Sequence, residues 1–223
     1  RLEKIKRSEV LHTLAATGVV LVHGPAAAGK SGILAETTLR LQAEDKHVIA
    51  VACGAFVTEL LHSEDSPSLL KRLLARRDAR DALTFAIDQI DEVELQRLQD
   101  EKRLREGLQE IVRAGCKLMV GVRSVDADSG GNLSLLLRSI AKTSHRPVSK
   151  VEAGPLPVED VSAALNVVGW AFNDLRPWQQ NLARGPLGLS LLIDQARLPS
   201  AAGALERMLP GGLSSLADRW WDQ

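Results

Sequence analysis

Residues 24–31 read Gly24-Pro25-Ala26-Ala27-Ala28-Gly29-Lys30-Ser31, after the apolar run Gly18-Val19-Val20-Leu21-Val22-His23 and before a helix-compatible stretch from Ile33 to Leu41. A strand, a glycine-bounded loop closing on Lys-Ser, and a helix make a phosphate-binding loop in its proper setting. Glycine is needed at Gly24 and Gly29 because the chain must turn tightly and bring backbone N–H groups within reach of phosphate oxygens. Lys30 neutralises phosphate charge, and the Ser31 hydroxyl suits Mg²⁺. The plainer alternative, a glycine-rich turn that happens to end in lysine, does not account for the flanking strand and helix.

Outward from this loop, short apolar runs alternate with helix-like segments. Residues 19–23, 47–52, 83–88 and 117–122 are each nearly continuous in apolar side chains, as a parallel strand covered on both faces should be. A fifth strand is expected at 148–153. Between the third and fourth, Leu95, Leu98, Leu104, Leu108, Ile111 and Val112 fall at helical spacing, and Gly115 stands where it can end that helix. Leu2 to Ala16 reads as an amphipathic leading helix with Ile5, Val10, Leu11 and Leu14 on one side. The pattern predicts a three-layer α/β/α fold on a five-stranded parallel sheet.

The character changes near residue 155. Leu156-Pro157 breaks the alternation, and Val158 to Gln223 reads as short helices without a convincing strand. All four tryptophans, Trp170, Trp178, Trp220 and Trp221, lie in this part with Phe172. Large apolar anchors are what a small helical unit needs for a core. Trp220 and Trp221 differ, because neighbours on a helix point about 100° apart and both are buried only if something covers them. Residues 1–154 are therefore expected to form a nucleotide-binding domain and 155–223 a small helical one. The absence of methionine at Arg1 suggests a piece of a longer protein.

Composition narrows the function. The 28 basic and 28 acidic residues of this 223-residue chain balance, so no clear nucleic-acid surface is expected. Cys53 and Cys116, far apart in apolar surroundings, argue against a disulfide framework or a zinc site. No apolar stretch approaches the roughly 18 residues of a membrane span, and no signal peptide is visible. A cytoplasmic protein with no membrane partner is expected.

A second motif stands where such a sheet needs it. The strand from Leu83 to Ile87 delivers Asp88 to its carboxyl end, and the chain continues Gln89-Ile90-Asp91-Glu92. Ligands of open α/β sheets sit at that edge, so Asp88 is expected beside Ser31, sharing Mg²⁺ with it. A carboxylate a few residues on, Glu92 or Asp91, would orient or deprotonate a water attacking the γ-phosphate. The competing reading makes Asp91, Glu92 and Glu94 the acidic first turn of the next helix. The following strand ends Gly121-Val122-Arg123-Ser124, which brings a cation, Arg123, to the same edge to sense or stabilise the γ-phosphate.

With these residues in order, the chain resembles a STAND-class P-loop ATPase, the group that includes NACHT and apoptotic or plant-resistance ATPases. Gly24 to Ser31 corresponds to the Walker A loop, and Phe85-Ala86-Ile87-Asp88-Gln89-Ile90-Asp91-Glu92 resembles the Walker B pattern. Leu118 to Ser124 looks like the strand whose terminal arginine is sensor 1, and Val151 to Val161 like the join into the helical domain. Gly185-Pro186-Leu187-Gly188-Leu189 resembles the motif whose proline packs near the adenine, and Leu209 to Leu216 the segment leading toward a winged helix. The resemblance implies ATP/ADP and Mg²⁺ as ligands. Gly24, Pro25, Ala26, Ala27, Ala28, Gly29, Lys30, Ser31, Gly32 and Pro186 would hold nucleotide, Ser31 and Asp88 metal. Glu92, Asp91 and Arg123 would do the chemistry. Three positions depart from the pattern. Gln89 replaces a small residue, Ala27 replaces the middle glycine and fits if its φ stays negative, and Arg184 stands where glycine often precedes the proline.

The resemblance implies a regulatory ATPase, hydrolysing slowly, whose nucleotide biases two arrangements and so controls effector and sensor domains of the same chain. Partners would be adenine nucleotide, those domains, and further copies in a ligand-induced homo-oligomer. A DNA-associated AAA-type ATPase, an initiator or transposition helper, shares the core and the sensor arginine but calls for a basic channel or a winged helix. A small-molecule kinase would need an arginine-rich lid, for which Arg76-Arg77-Asp78-Ala79-Arg80 is the sole stretch, read more simply as a solvated loop.

Overall fold

The computed structural model of the protein describes residues 2–25, 27–61, 68–75, 83–90, 98–123, 138–143 and 148–197. Five parallel strands form one sheet: β1 (Val19–Gly24), β2 (His47–Ala52), β3 (Leu83–Asp88), β4 (Lys117–Arg123) and β5 (Ser149–Glu152). Their spatial order is β2-β3-β4-β1-β5, which puts β4 between the strand leading into the phosphate loop and the strand ending in Asp88. Four lie where the apolar runs predict them, and β5 lies within the expected 148–153. The central ones are continuous in buried residues, since both faces are covered. The edge strand β2 is half exposed along its length.

Alternation along the strands sorts the two faces. Val19 and Leu21 of β1, Phe85 and Ile87 of β3, and Leu118, Val120 and Val122 of β4 share one cluster with Leu104, Leu108 and Ile111. The last three belong to the helix Leu98–Arg113. Phe56, Val57 and Leu60, from a π-helical turn over Phe56–Leu61, complete that layer with Leu70 and Leu74 of the helix Leu69–Ala75. The opposite face carries the helix Lys30–Ala43, here α2 after the leading helix α1 (Leu2–Thr17). Ile33, Leu34, Thr37, Thr38 and Leu41 recur at helical spacing on α2 and are buried. Each fully buried leucine or isoleucine of these layers contributes about 1.5–3 kcal/mol.

The helix Leu98–Arg113 ends as its sequence indicates, with Gly115 at φ +78. The leading helix Leu2–Thr17 buries Val10 and Leu14 and leaves Leu11 half-buried. Cys53 and Cys116 are buried in the main core and form no disulfide. Among the described residues no helix is long and apolar enough to cross a membrane.

The chain divides into two compact units, one holding the sheet. The other, among described residues, holds 154–197 with Leu2 and the loop segment Ala27–Gly29. Its helices are Val158–Asn166, Pro177–Ala183 and Pro186–Ala196, with a 3₁₀ turn at Phe172–Asp174. Leu156, Val161, Leu165, Leu175, Leu182, Ala183, Leu191 and Leu192 form its core, and Trp170, Phe172 and Trp178 pack against it. These two tryptophans are core anchors; Trp220 and Trp221 lie outside the described residues.

Phe85 is fully buried on the interior strand β3, whereas Leu39 on α2 is 60% exposed. Phe85→Ala is expected to lower stability by about 3–5 kcal/mol. Leu39→Ala should change it by less than about 0.5 kcal/mol. Urea unfolding monitored by circular dichroism checks the contrast, and similar losses from both would contradict the layer assignment.

Candidate functional site

A parallel sheet presents its carboxyl ends on one edge, where ligands of open α/β sheets bind. In register, Gly24 of β1 lies opposite Arg123 of β4, and Val22 opposite Gly121. Asp88 ends β3, opposite Ala52 of β2. Gly24, Asp88, Gly121 and Arg123 all belong to the α2 face by strand alternation. The sheet unit therefore gathers the beginning of the phosphate loop, a carboxylate and a guanidinium at one edge.

Helix α2 starts at Lys30 itself, three residues earlier than the apolar pattern marks it. Its first-turn N–H groups have no acceptor within the helix, and its dipole adds partial positive charge there. The Lys30 ammonium donates to the carbonyls of Gly24 at 3.1 Å and Pro25 at 2.8 Å, which folds the side chain back along the loop. Three N–H donors on an ammonium leave one for a phosphate oxygen. Ser31 follows in the first turn and is exposed. This set of a cation, helix amides and a hydroxyl fits a phosphate chain.

Two non-glycine residues of this region have left-handed backbones: Ala27 at φ +61 and Gln89 at φ +62. The expectation that Ala27 keeps a negative φ is therefore corrected. Ala27 has φ +61 and Gly29 φ +87, a left-handed conformation that strains an alanine and not a glycine. The same cause explains why a small residue suits the position of Gln89. The constraint falls on the backbone, while the Gln89 side chain is exposed. Its N–H donates to Asp88 Oδ1 at 2.9 Å. Ile90 N–H donates to the Gly121 carbonyl at 3.2 Å, hooking the chain after β3 onto β4.

The Asp88 carboxylate lies over Gly121, a residue that the reading of motifs passes over. The signal was present, since glycine inside a strand marks a close approach. Among the described residues no three His, Cys, Asp or Glu side chains cluster as a metal cage. One carboxylate with a hydroxyl is instead the donor set for Mg²⁺, which keeps several waters and takes phosphate oxygens.

In the helical unit, a Cβ built on Gly29 would stand 2.9 Å from Pro186 Cγ, so this proline ring packs directly on the loop glycine. Arg184 adopts an ordinary helical backbone, φ −76 and ψ −11, and so needs no glycine. Its Nε donates to the Leu156 carbonyl at 3.3 Å, while Leu156 N–H donates to the Arg184 carbonyl at 2.7 Å. Ala26, Asp91, Glu92 and the Arg76–Arg80 stretch lie outside the described residues.

No protein-family profile and no curated protein matches the sequence. Solved structures do match in fold. AMPPCP-bound DnaA from Aquifex aeolicus is similar at a TM-score of 0.61 and 12% identity, over 93% of this chain and 64% of that one. Domain III of the Thermotoga maritima replication initiation protein DnaA gives 0.50 and 13%, over 97% and 88%. The Walker-type ATPase PABY2304 of Pyrococcus abyssi gives 0.52 and 16%, over 91% and 69%. The chain has the α/β/α fold of P-loop ATPases.

A left-handed alanine costs about 1–2 kcal/mol, partly offset when glycine adds roughly 0.5–1 kcal/mol of chain entropy. Ala27→Gly is therefore expected to raise the melting temperature by about 1–4 °C. Thermal unfolding checks this, and a lowered midpoint would contradict the strain.

Proposed function

We propose that this chain binds Mg·ATP and Mg·ADP and hydrolyses ATP slowly, as the switch module of a STAND-type ATPase. The observation that carries the nucleotide reading is the Lys30 ammonium lying along the loop carbonyls at the start of α2, on the sheet edge that also bears Asp88 and Arg123. In this reading Gly24 to Gly32 cradle the phosphates and Lys30 neutralises them. Ser31 and Asp88 hold Mg²⁺, which when bound offsets charge on the β- and γ-phosphates. Arg123 meets the γ-phosphate. Glu92, with Asp91 as the alternative, orients the attacking water. Pro186 lies near the adenine.

The STAND assignment rests on the motif order from Walker A to Gly185-Pro186, and on Pro186 packing against Gly29 within the helical unit. A switch of this kind needs ATP and ADP to differ by about 1–3 kcal/mol in their preference for its two arrangements. The effector and sensor domains of the same chain would read that difference, with homo-oligomer formation as one output. The second reading, a DNA-associated AAA-type ATPase, is favoured by the likeness to two DnaA structures.

Lys30→Ala is expected to weaken ATP binding at least tenfold, about 1.4 kcal/mol or more, in isothermal titration calorimetry. Equal affinities for the variant and the parent would remove the phosphate-loop assignment. The two readings separate on duplex DNA at low salt. A DNA-associated ATPase binds it with affinity that falls steeply as salt rises, and a switch module of balanced charge does not.

A further inference from the structure

We infer that Gly121 is a positioning residue for Asp88, keeping open the space in which that carboxylate must lie to serve Mg²⁺. The inference rests on the nucleotide reading for its purpose, and on geometry alone for its mechanism.

Gly121 stands within the buried stretch 118–122 of the strand Lys117–Arg123; the other residues of that stretch are apolar, and glycine there weakens pairing and contributes no side chain to the core. Its backbone explains nothing, since its φ lies outside the left-handed region. Space does explain it. A Cβ added there would overlap Asp88 Oδ1, approach Asp88 Cγ to 3.4 Å and meet Leu34 Cδ1 of α2 at 3.0 Å. The leucine methyl is the end of a flexible side chain and can give way. The carboxylate cannot move as freely, because Oδ1 accepts the Gln89 N–H at 2.9 Å and the chain just beyond is tied to Gly121 by the Ile90 N–H bond to its carbonyl.

The arrangement has a chemical sense. Asp88 ends β3, Gly24 ends β1, and β4 runs between them. A carboxylate serving the same phosphate chain as the loop must lean from β3 across β4, and only a residue without a side chain at the crossing point lets it do so. A side chain at 121 would turn Asp88 away from β1 and break its bond to Gln89.

The test uses the full chain as wild type, Gly121→Ala, Asp88→Ala and the double variant. Amide hydrogen exchange at Gln89 is read first, because it reports the Asp88 bond without any nucleotide. Gly121→Ala is expected to speed that exchange at least tenfold while core amides of β1 stay protected. Calorimetry then measures ATP affinity in Mg²⁺ and in EDTA. Gly121→Ala should lose at least tenfold of the Mg²⁺-dependent gain, as Asp88→Ala is expected to, and should itself stay within about twofold of wild type in EDTA. The double variant should be no worse than Asp88→Ala alone, since residues acting through one contact are not additive. If Gly121→Ala unfolds, the double variant should recover the melting temperature of Asp88→Ala, because the added methyl no longer meets a carboxylate. Unchanged Gln89 exchange, or additive losses in the double variant, would overturn the inference. A wild type that gains nothing from Mg²⁺ would instead refute the nucleotide reading, leaving exchange and the double variant to decide the role of Gly121.

Discussion

The register of β4 between β1 and β3 is the constraint on which the candidate site depends. All strands of a parallel sheet end on one edge, but which residues meet there is set by which strands are neighbours. With Gly24 opposite Arg123 and Val22 opposite Gly121, the phosphate loop begins beside the guanidinium. With Phe85 opposite Leu118 and Ile87 opposite Val120, Asp88 emerges on the other side of the same strand. A slip of β4 by one residue would turn Gly121 and Arg123 to the opposite face and put core side chains in their place. The apolar cluster of Leu21, Phe85, Leu118 and Val120 with Leu104 and Leu108 makes such a slip prohibitive. The hydrophobic core thus fixes the geometry of polar groups that contribute nothing to it.

Much of this was legible along the chain because it is local. Nearly continuous apolar runs marked four of the five strands, the Lys30-Ser31 pair marked the loop, and Gly115 marked a helix end. Strand order was not legible, since nothing in Lys117–Arg123 states which strands flank it; that is decided by long-range packing. The backbone at Ala27 escaped for a related reason. Alanine there gives no hint of φ +61, a conformation it rarely adopts. Gly121 was legible as an anomaly but not as a function, because the carboxylate it accommodates is more than thirty residues away in sequence.

The left-handed residues divide instructively. Asp45, at φ +55, sits in the turn between α2 and β2, where aspartate adopts this conformation readily. Ala27 and Gln89 have no such tolerance, and both adjoin groups that would face phosphate or metal. Strain of roughly 1–3 kcal/mol persists only where the surroundings over-determine the backbone. At Gln89 they do, since it lies between the Asp88 bond and the Ile90 hook. The sequence keeps residues other than glycine at two positions whose geometry favours it, which separates this chain from the motif pattern it otherwise resembles.

The sheet edge that carries Lys30 and Asp88 is proposed to bind Mg·ATP. Backbone amide NMR during a titration of the wild-type chain with Mg·ATP tests it most directly. The largest shifts are expected at Gly29, Lys30, Ser31 and Gly32, with Asp88 and Gln89 responding only when Mg²⁺ is present. Saturating shifts confined to other parts of the chain, or none at millimolar nucleotide, would contradict it.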